Sequence, residues 1–301
     1  MLIQQDNYPP VTSYHTPLQT LASADEVVDA RQPMLALQVG SHLDPGLKCK
    51  HRPNEDTIFV THGFMTSPSA SPKPFALLMV ADGMGGQAHG QEASQLAVQS
   101  LAEYVSSSLR SKQMTSDAFL PTLIRGVQYA NRVLYQRNQE QRTDMGTTMT
   151  ATLVVDTTAY VAHVGDSRFY LFREPDGLSR ITQDHSLVAA LVAAGAIQPE
   201  DIYTHPMRNL IYRCLGEKSN VEVDGHTVLL AAGDILLLCS DGLWEMVRDQ
   251  QIAAILTTPM PDPSSTAHAL IQAALARGGV DNVSAIVVQV SKMAEQLIKG
   301  G

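Results

Sequence analysis

The sequence predicts a largely antiparallel α+β domain with helices on its outer faces, and three observations carry that prediction. Short runs rich in Val, Leu, Ile and Thr recur along the chain, bounded by Gly, Asp or Pro as strands usually are. Several of these runs are apolar without alternation, so both of their faces must be covered. Two long helical patterns stand together early in the chain instead of following each strand in turn, which argues against the regular alternation of a parallel sheet.

Residues 1–33 mix Pro, Gln, Ser and Thr without hydrophobic periodicity, which predicts a flexible arm ahead of a domain over 34–293, with 294–301 as a tail. Candidate strands follow at Leu35–Val39, Thr57–Thr61 and Phe75–Ala81. In the first helical pattern Ala93, Leu96, Ala97, Leu101, Tyr104 and Val105 share a face. In the second, Phe119, Leu120, Leu123, Ile124, Val127 and Leu134 do so, with Pro121 tolerated in the opening turn. Both suit amphipathic helices laid over a sheet. Strands are then expected at Thr147–Val155, Tyr160–Val164 and Phe169–Phe172, and a third helix from Ser186 to Ala194, capped by Asp184 and stopped by Gly195. Strands at Val221–Leu230 and Asp234–Cys239, a fourth helix from about Ser265 to Arg277, and a last strand at Val283–Val290 complete the order.

The 301 residues suffice for a substantial core, and neither linker nor internal repeat divides them. The most apolar stretch, Leu187 to Ile197, is short and carries a glycine, far from the ~18 apolar residues of a membrane span. Residues 1–20 have neither a basic start nor an apolar block, so no secretory signal is read and a cytosolic address is expected. Cys49, Cys214 and Cys239 are odd in number and far apart, unlike a disulfide framework or zinc spacing. The net charge of −9, with Lys and Arg scattered, leaves no footprint for nucleic acid or anionic lipid. It is compatible with a carboxylate-rich metal site.

Acidic residues recur at strand ends. Asp82, Asp166 and Asp241 come directly after apolar runs, and Asp56 and Asp281 just before them. Singly, an Asp-Gly after a strand reads as a turn. In antiparallel sheets, however, the end of one strand lies beside the start of the next, so the five carboxylates can share one edge. Such a cluster needs neutralising, and with almost no Cys or His nearby the fitting ions are Mg²⁺ or Mn²⁺, which usually handle phosphate.

Eight segments in sequence then carry a family resemblance: NED (54–56), ADGMGG (81–86), GTTMTATLVV (146–155), HVGDSR (163–168), TQDHS (182–186), THPMRNLIYRCLG (204–216), SDGLW (240–244) and DNVSAIVV (281–288). From about residue 35 to 290 the chain resembles the metal-dependent protein serine/threonine phosphatases, the protein phosphatase 2C family, and most of all its bacterial branch. The resemblance implies two antiparallel sheets packed as a β-sandwich with helical layers on both outer faces. It also implies hydrolysis of phosphoserine and phosphothreonine in proteins by a hydroxide bridging two divalent ions, Mn²⁺ or Mg²⁺, without a covalent phosphoenzyme.

By the same resemblance Asp82 bridges the two ions, with the Gly83 carbonyl helping to hold one of them, and Asp241 and Asp281 complete the other. Asp56 and Glu55 act on the glycine-side ion directly or through water, and Asp166 joins Asp241 around a third, weaker ion. Asp82 and Asp241 act in catalysis through the water the metals hold. The family's phosphate-gripping arginine falls at His51 here; Arg52 next to it is assigned that role, with His51 as the weaker substitute, since a guanidinium grips phosphate bidentately and imidazole does not. Met84 stands where many eukaryotic members place a proton-donating histidine. His185 and His205 match family positions but are as suited to bonding loops as to touching substrate, His163 reads as structural, and Arg168 reads as tying its turn to a carboxylate. Cys239 is expected buried in a strand, and no cysteine sits in a loop that would activate a thiol. Residues 187–220 form a flap-like insertion, expected to be mobile. The implied partners are phosphorylated proteins, with a Ser/Thr kinase and its targets, for a cytoplasmic monomer without nucleic acid or membrane. A catalytically silent phosphoprotein-binding relative and a phosphatase of small phosphoesters are the alternative readings.

Overall fold

The computed structural model describes residues 34–67, 70–85, 89–111 and 114–293; the expected N-terminal arm, the tail from 294 and Gly86 of the 81–86 segment lie outside them. The chain enters β1 (Leu35–Asp44), forms a long hairpin of β2 (Asp56–Ser67) and β3 (Ala70–Met84), and continues into the helix pair α1 (His89–Ser111) and α2 (Ser116–Gln141). Next come β4 (Gly146–Thr147), β5 (Met149–Val155), β6 (Thr158–Val164), β7 (Arg168–Arg173) and β8 (Gly177–Arg180). After α3 (Leu187–Ala193) and a 3-10 turn (Pro199–Tyr203) follow β9 (Asp224–Leu229), β10 (Ile235–Cys239), α4 (Asp241–Trp244), α5 (Asp249–Thr257), α6 (Pro263–Leu275) and β11 (Val283–Lys292).

One sheet has the order β1-β11-β10-β7-β8 and the other β2-β3-β5-β6-β9, with β4 beside β3. All these pairings are antiparallel. The side-chain period of two sorts the apolar residues into three cores. Ala76, Leu78 and Val80 of β3 meet Leu236, Leu238, Ile286 and Val288 between the sheets. The alternate residues Leu77, Met79 and Ala81 pack under Ala97, Leu101, Leu123 and Val127 of α1 and α2. On the far side, Leu237, Cys239, Ala285 and Val287 pack under Leu243, Trp244, Leu270 and Ile271. A strand covered on both faces reads as a continuous apolar run, which is why β3 and β10 show no polar alternation. The layers are those of the expected sandwich.

Local differences from the sequence expectation have identifiable causes. The run Thr147–Val155 divides at Thr148, which leaves β4 to pair with the end of β3. The third helix is capped by Ser186, whose side chain accepts the Ala189 amide at 3.3 Å, and not by Asp184, whose carboxylate is taken by Arg168. The fourth helix starts earlier, at Pro263, because Asp262 caps it by accepting the Ser265 amide at 2.7 Å. The expected strand Val221–Leu230 contracts to Asp224–Leu229.

The insertion 187–220 lies outside the two sheets, seated by Ile202 and Tyr203 on the core beneath α4 and α6 and by buried Leu215 on the core beneath α1 and α2. The Ser186–Ile211 and Thr147–Leu215 bridges close its base, and α3 buries Val188 alone among its seven residues. One buried valine contributes about 1.5–3 kcal/mol, less than the ~1–2 kcal/mol per residue that ordering a helix of this length costs. Amides of residues 189–196, ahead of the Ile202 and Tyr203 contacts, are therefore expected to exchange with deuterium at least ~100-fold faster than those of β10 and β11. Equal protection in a hydrogen-exchange experiment would show that the insertion is as firmly packed as the sheets.

Candidate active site

Antiparallel register sets Asp56, the first residue of β2, directly opposite Asp82 near the end of β3. Cross-strand partners point to one face. Here it is the inner one, because Ile58, Val60, Leu78 and Val80, at the same parity, belong to the core between the sheets. From the other sheet, Ser240 follows β10 and donates to Asp56 Oδ2 at 2.6 Å. The Ser284 amide and hydroxyl, at the start of β11, both bond Ser240 Oγ at 3.0 Å. Asp241 opens α4, Asp281 precedes β11, and Asp166 sits in the turn between β6 and β7. The two sheets thus meet in carboxylates at one end of the sandwich.

Close backbone approaches hold this end together. A Cβ on Gly83 would collide with the Gly90 carbonyl, and one on Gly242 with the Asn282 carbonyl, so neither position admits a side chain. Asn282 accepts the Glu55 amide at 2.8 Å and donates to the Pro45 carbonyl at 2.9 Å. Thr148 holds Asp82 from both sides, its hydroxyl accepting the Asp82 amide at 2.9 Å while its own amide donates to the Asp82 carbonyl at 2.8 Å.

The cluster is short of positive charge. Burial pushes the Asp56 and Asp166 carboxyls up to about 7, the bonds from Ser240 and Ser284 pulling Asp56 back in part. Burial first, then the charges of neighbouring aspartates, hold Asp82 and Asp241 well above the usual carboxylate range. Glu55 is raised for the same reasons, and Arg52 is the cation that partly offsets it. Asp56 Oδ1 and Asp241 Oδ1 are buried without a hydrogen-bond partner. A buried carboxylate oxygen left unpaired is costly, and a cation satisfies it. All the donors are oxygen, the set that hard divalent ions prefer. Among the described residues no three His, Cys, Asp or Glu converge as a ready-made chelate, so ions here would draw also on backbone oxygen and water, as Mg²⁺ sites do.

Behind Asp166 and Asp241 lies a buried support. Arg168 donates to both oxygens of Asp184, at 3.0 and 2.7 Å, and to Tyr170 Oη at 2.9 Å. Its guanidinium stacks 3.5 Å from the ring centroid of Trp244, and Trp244 Nε1 donates to the Asp166 carbonyl at 3.0 Å. Arg168 is therefore structural, as its sequence context suggests. Removing either partner of this buried pair would strand a charge at a cost of about 3–5 kcal/mol.

The histidines hold loops. His163 bonds Thr150 Oγ1 at 2.9 Å and the Gln183 carbonyl at 3.1 Å, and burial pulls its pKa down to about 3. His185 Nδ1 accepts the Gly165 amide at 3.0 Å, and Nε2 lies 3.1 Å from Asp224. His205 Nδ1 accepts the Met207 amide at 3.1 Å inside the insertion. Cys239 is fully buried, and burial pushes its thiol up. His51 and Arg52 are both exposed in the turn before Asn54, and the charge of Arg52 reaches Glu55 and Cys49.

Sequence reasoning passed over Ser240, Ser284, Asn282 and Glu245. The first three stand inside the SDG and DNVS segments, each beside an aspartate that drew the attention. Glu245 follows Asp241 by one helical turn, accepts from Arg208 of the insertion at 3.4 Å, and raises both Asp241 and Asp166. An acid at i+4 from a candidate ligand was the available signal.

Comparison with known proteins agrees with this geometry. The family model of protein phosphatase 2C matches residues 52–277. The serine/threonine phosphatase stp of Listeria innocua is 36% identical over 71% of this chain and 84% of its own length. The crystal structure of the Mycobacterium tuberculosis serine/threonine phosphatase PstP/Ppp is 36% identical with a TM-score of 0.72, covering 85% of this chain and 99% of that one. A structure of the PstP catalytic domain in complex with two manganese ions is 34% identical with a TM-score of 0.71, over 85% and 99% of the respective chains. By sequence match, fold and the carboxylates gathered at the sandwich end, the chain belongs to the protein phosphatase 2C family.

Proposed function

We propose that the chain hydrolyses phosphoserine and phosphothreonine in proteins at the end of the sandwich, using two divalent ions, Mn²⁺ or Mg²⁺. The observation that carries this reading is the pair of buried, unpartnered oxygens of Asp56 and Asp241 in a cluster whose acids raise one another. Asp82 would be shared by both ions, with the Gly83 carbonyl and Asp56 on one side and Asp241 and Asp281 on the other. Glu55 stands near the first ion, and Asp166 with Asp241 would take a third. Bound there, the ions supply an activated water as nucleophile and offset the charge of the phosphoryl oxygens.

The chain's own residues do the rest. Ser240 holds one oxygen of Asp56 and leaves the other free to face a cation. Arg52, exposed beside Glu55, grips the phosphoryl oxygens as a fork, a geometry His51 lacks. Met84 has no proton to give, so protonation of the leaving oxygen does not come from that position. No thiol takes part, since burial raises Cys239, Cys214 and Cys49 alike. In this reading the chain works as a cytoplasmic monomer that reverses the work of a Ser/Thr kinase in signalling. The three cysteines are unpaired, and among the described residues no helix is long and apolar enough to cross a membrane.

Turnover of a phosphothreonine peptide is expected to require Mn²⁺ or Mg²⁺ and to fall at least ~100-fold in Asp82→Asn and Asp241→Asn. A folded, Mn²⁺-binding wild type without turnover would overturn the reading in favour of a silent binding protein.

Charge relief gives a second test. Asp56 and Asp166, raised to about 7 in the folded chain, contribute stability while protonated that is lost as pH rises from about 4 through 7. His163, lowered to about 3, works the other way, its contribution being present above 6.5 and lost as pH falls. The increment that Mn²⁺ adds to Tm isolates the first effect. It is expected to be larger at pH 8 than at pH 5.5, by at least about 3 °C. In EDTA at pH 8, Asp82→Asn is expected to melt a few degrees above the wild type and to lose the Mn²⁺ increment. An unchanged or lower Tm for that variant would mean the acids do not strain the fold.

A further inference from the structure

A groove of about 470 Å³ opens beside the carboxylate cluster, between the end of β3, the end of α2 and the returning segment of the insertion. Met84 and Ile211 supply its apolar wall, and Asp144 and Glu217 stand on it as exposed carboxylates. No lysine or arginine is among the residues that line it. Glu217 has one cation near, Lys218 at 3.9 Å, and both side chains are more than half exposed, so water screens that pair.

We propose that this groove binds the side chain of a lysine or arginine flanking the phosphorylated residue of the protein substrate. The proposal rests on the phosphatase reading above and names part of its specificity. A long cationic side chain has the two-part character the groove offers, an aliphatic stem to lie along Met84 and Ile211 and a charged head to reach Asp144 and Glu217. The 26-residue α2 ends on Arg142 as its C-cap, and Asn138 and Gln139 of its last turn line the groove.

The groove is also preformed. Buried Asn138 donates to the Met145 carbonyl at 2.7 Å and the Gly216 carbonyl at 3.1 Å, and accepts the Met145 amide at 3.0 Å. These bonds tie α2, the β4 approach and the insertion's return into one wall, so little ordering is needed on binding. Met84 lies two residues beyond Asp82 on the same strand, roughly 7 Å at the usual rise. An extended substrate with its phosphate at the cluster therefore brings a side chain two or three residues away into the groove.

The test uses the full chain with Mn²⁺, an aryl phosphate and phosphothreonine peptides of equal length. The peptides are neutral, or carry arginine or glutamate two or three residues to either side of the phosphothreonine. Arginine peptides are expected to exceed the neutral one by about tenfold in kcat/KM, with glutamate peptides below it. The ratio should fall to about 1–2 in the double variant Asp144→Asn, Glu217→Gln, and Asp144→Lys should reverse the order of arginine and glutamate peptides. Both side chains are exposed, and the wild-type peptide series stands even if a variant misfolds. Equal rates for all peptides in the wild type, or a ratio that survives the double variant, would overturn the groove while aryl phosphate turnover leaves the phosphatase reading standing. Absence of Mn²⁺-dependent turnover on every substrate would overturn both.

Discussion

Repulsion among Asp56, Asp82, Asp166 and Asp241, four carboxylates at one end of the sandwich, is the constraint to which the surrounding structure answers. Left to themselves, like charges in a poorly solvated site separate or take up protons. Here separation is blocked by backbone. Asp56 and Asp82 are locked opposite each other by the β2–β3 ladder, and Asp241 is fixed by the α4 turn, where Gly242 lies against the Asn282 carbonyl. The hydrogen bonds spent on this end are mostly to backbone or to Oδ2 of Asp56, which leaves oxygens of Asp56 and Asp241 facing the cluster unpaired. A site that satisfied those oxygens with serines or amides would be more stable and would hold no ion.

The rear of the site is built on the opposite principle, its buried arginine and aspartate paired. Arg168 meets Asp184 through two bonds, Tyr170 through a third and Trp244 through its face. Tyr170 passes the chain on to Asp249 of α5 at 3.0 Å. Burial alone would lower the arginine's affinity for its proton, yet the aspartate and tyrosine more than offset it. The network spans β7, the segment before α3, α4 and α5, and it ends on the Asp166 carbonyl through the Trp244 indole. The indole thus links the turn carrying Asp166 to the helix carrying Asp241.

What was legible in the sequence was local or repeated. The strands announced themselves because both faces are covered, and the acids because they recur at strand ends. The paired sheets came through the family resemblance, since composition and period do not say which strand neighbours which. Partners across a sheet are invisible for the same reason: nothing near Ser240 in the chain reveals that Asp56 is its acceptor. Asp184 was misread as a helix cap because caps are local, while Arg168, sixteen residues earlier, competes for the same carboxylate and wins with two charged bonds. The short elements α4, α5 and β8 span four, nine and four residues, too few for a period to show.

Of the two causes that hold protons on these acids, burial comes ahead of the neighbours' charges for Asp56, Asp82, Asp166 and Asp241 alike. That order decides what can relieve them. Neutralising one aspartate removes one repulsion from the others but leaves each of them as poorly solvated as before. A divalent cation acts on both causes at once, because it supplies opposite charge and brings oxygen ligands of its own in its hydration shell. It also does so without closing the site, whereas a lysine or arginine of this chain reaching the same point would fill the space the phosphoryl group needs. The unpaired carboxylate oxygens and the lack of a resident base among them are thus one feature seen from two sides.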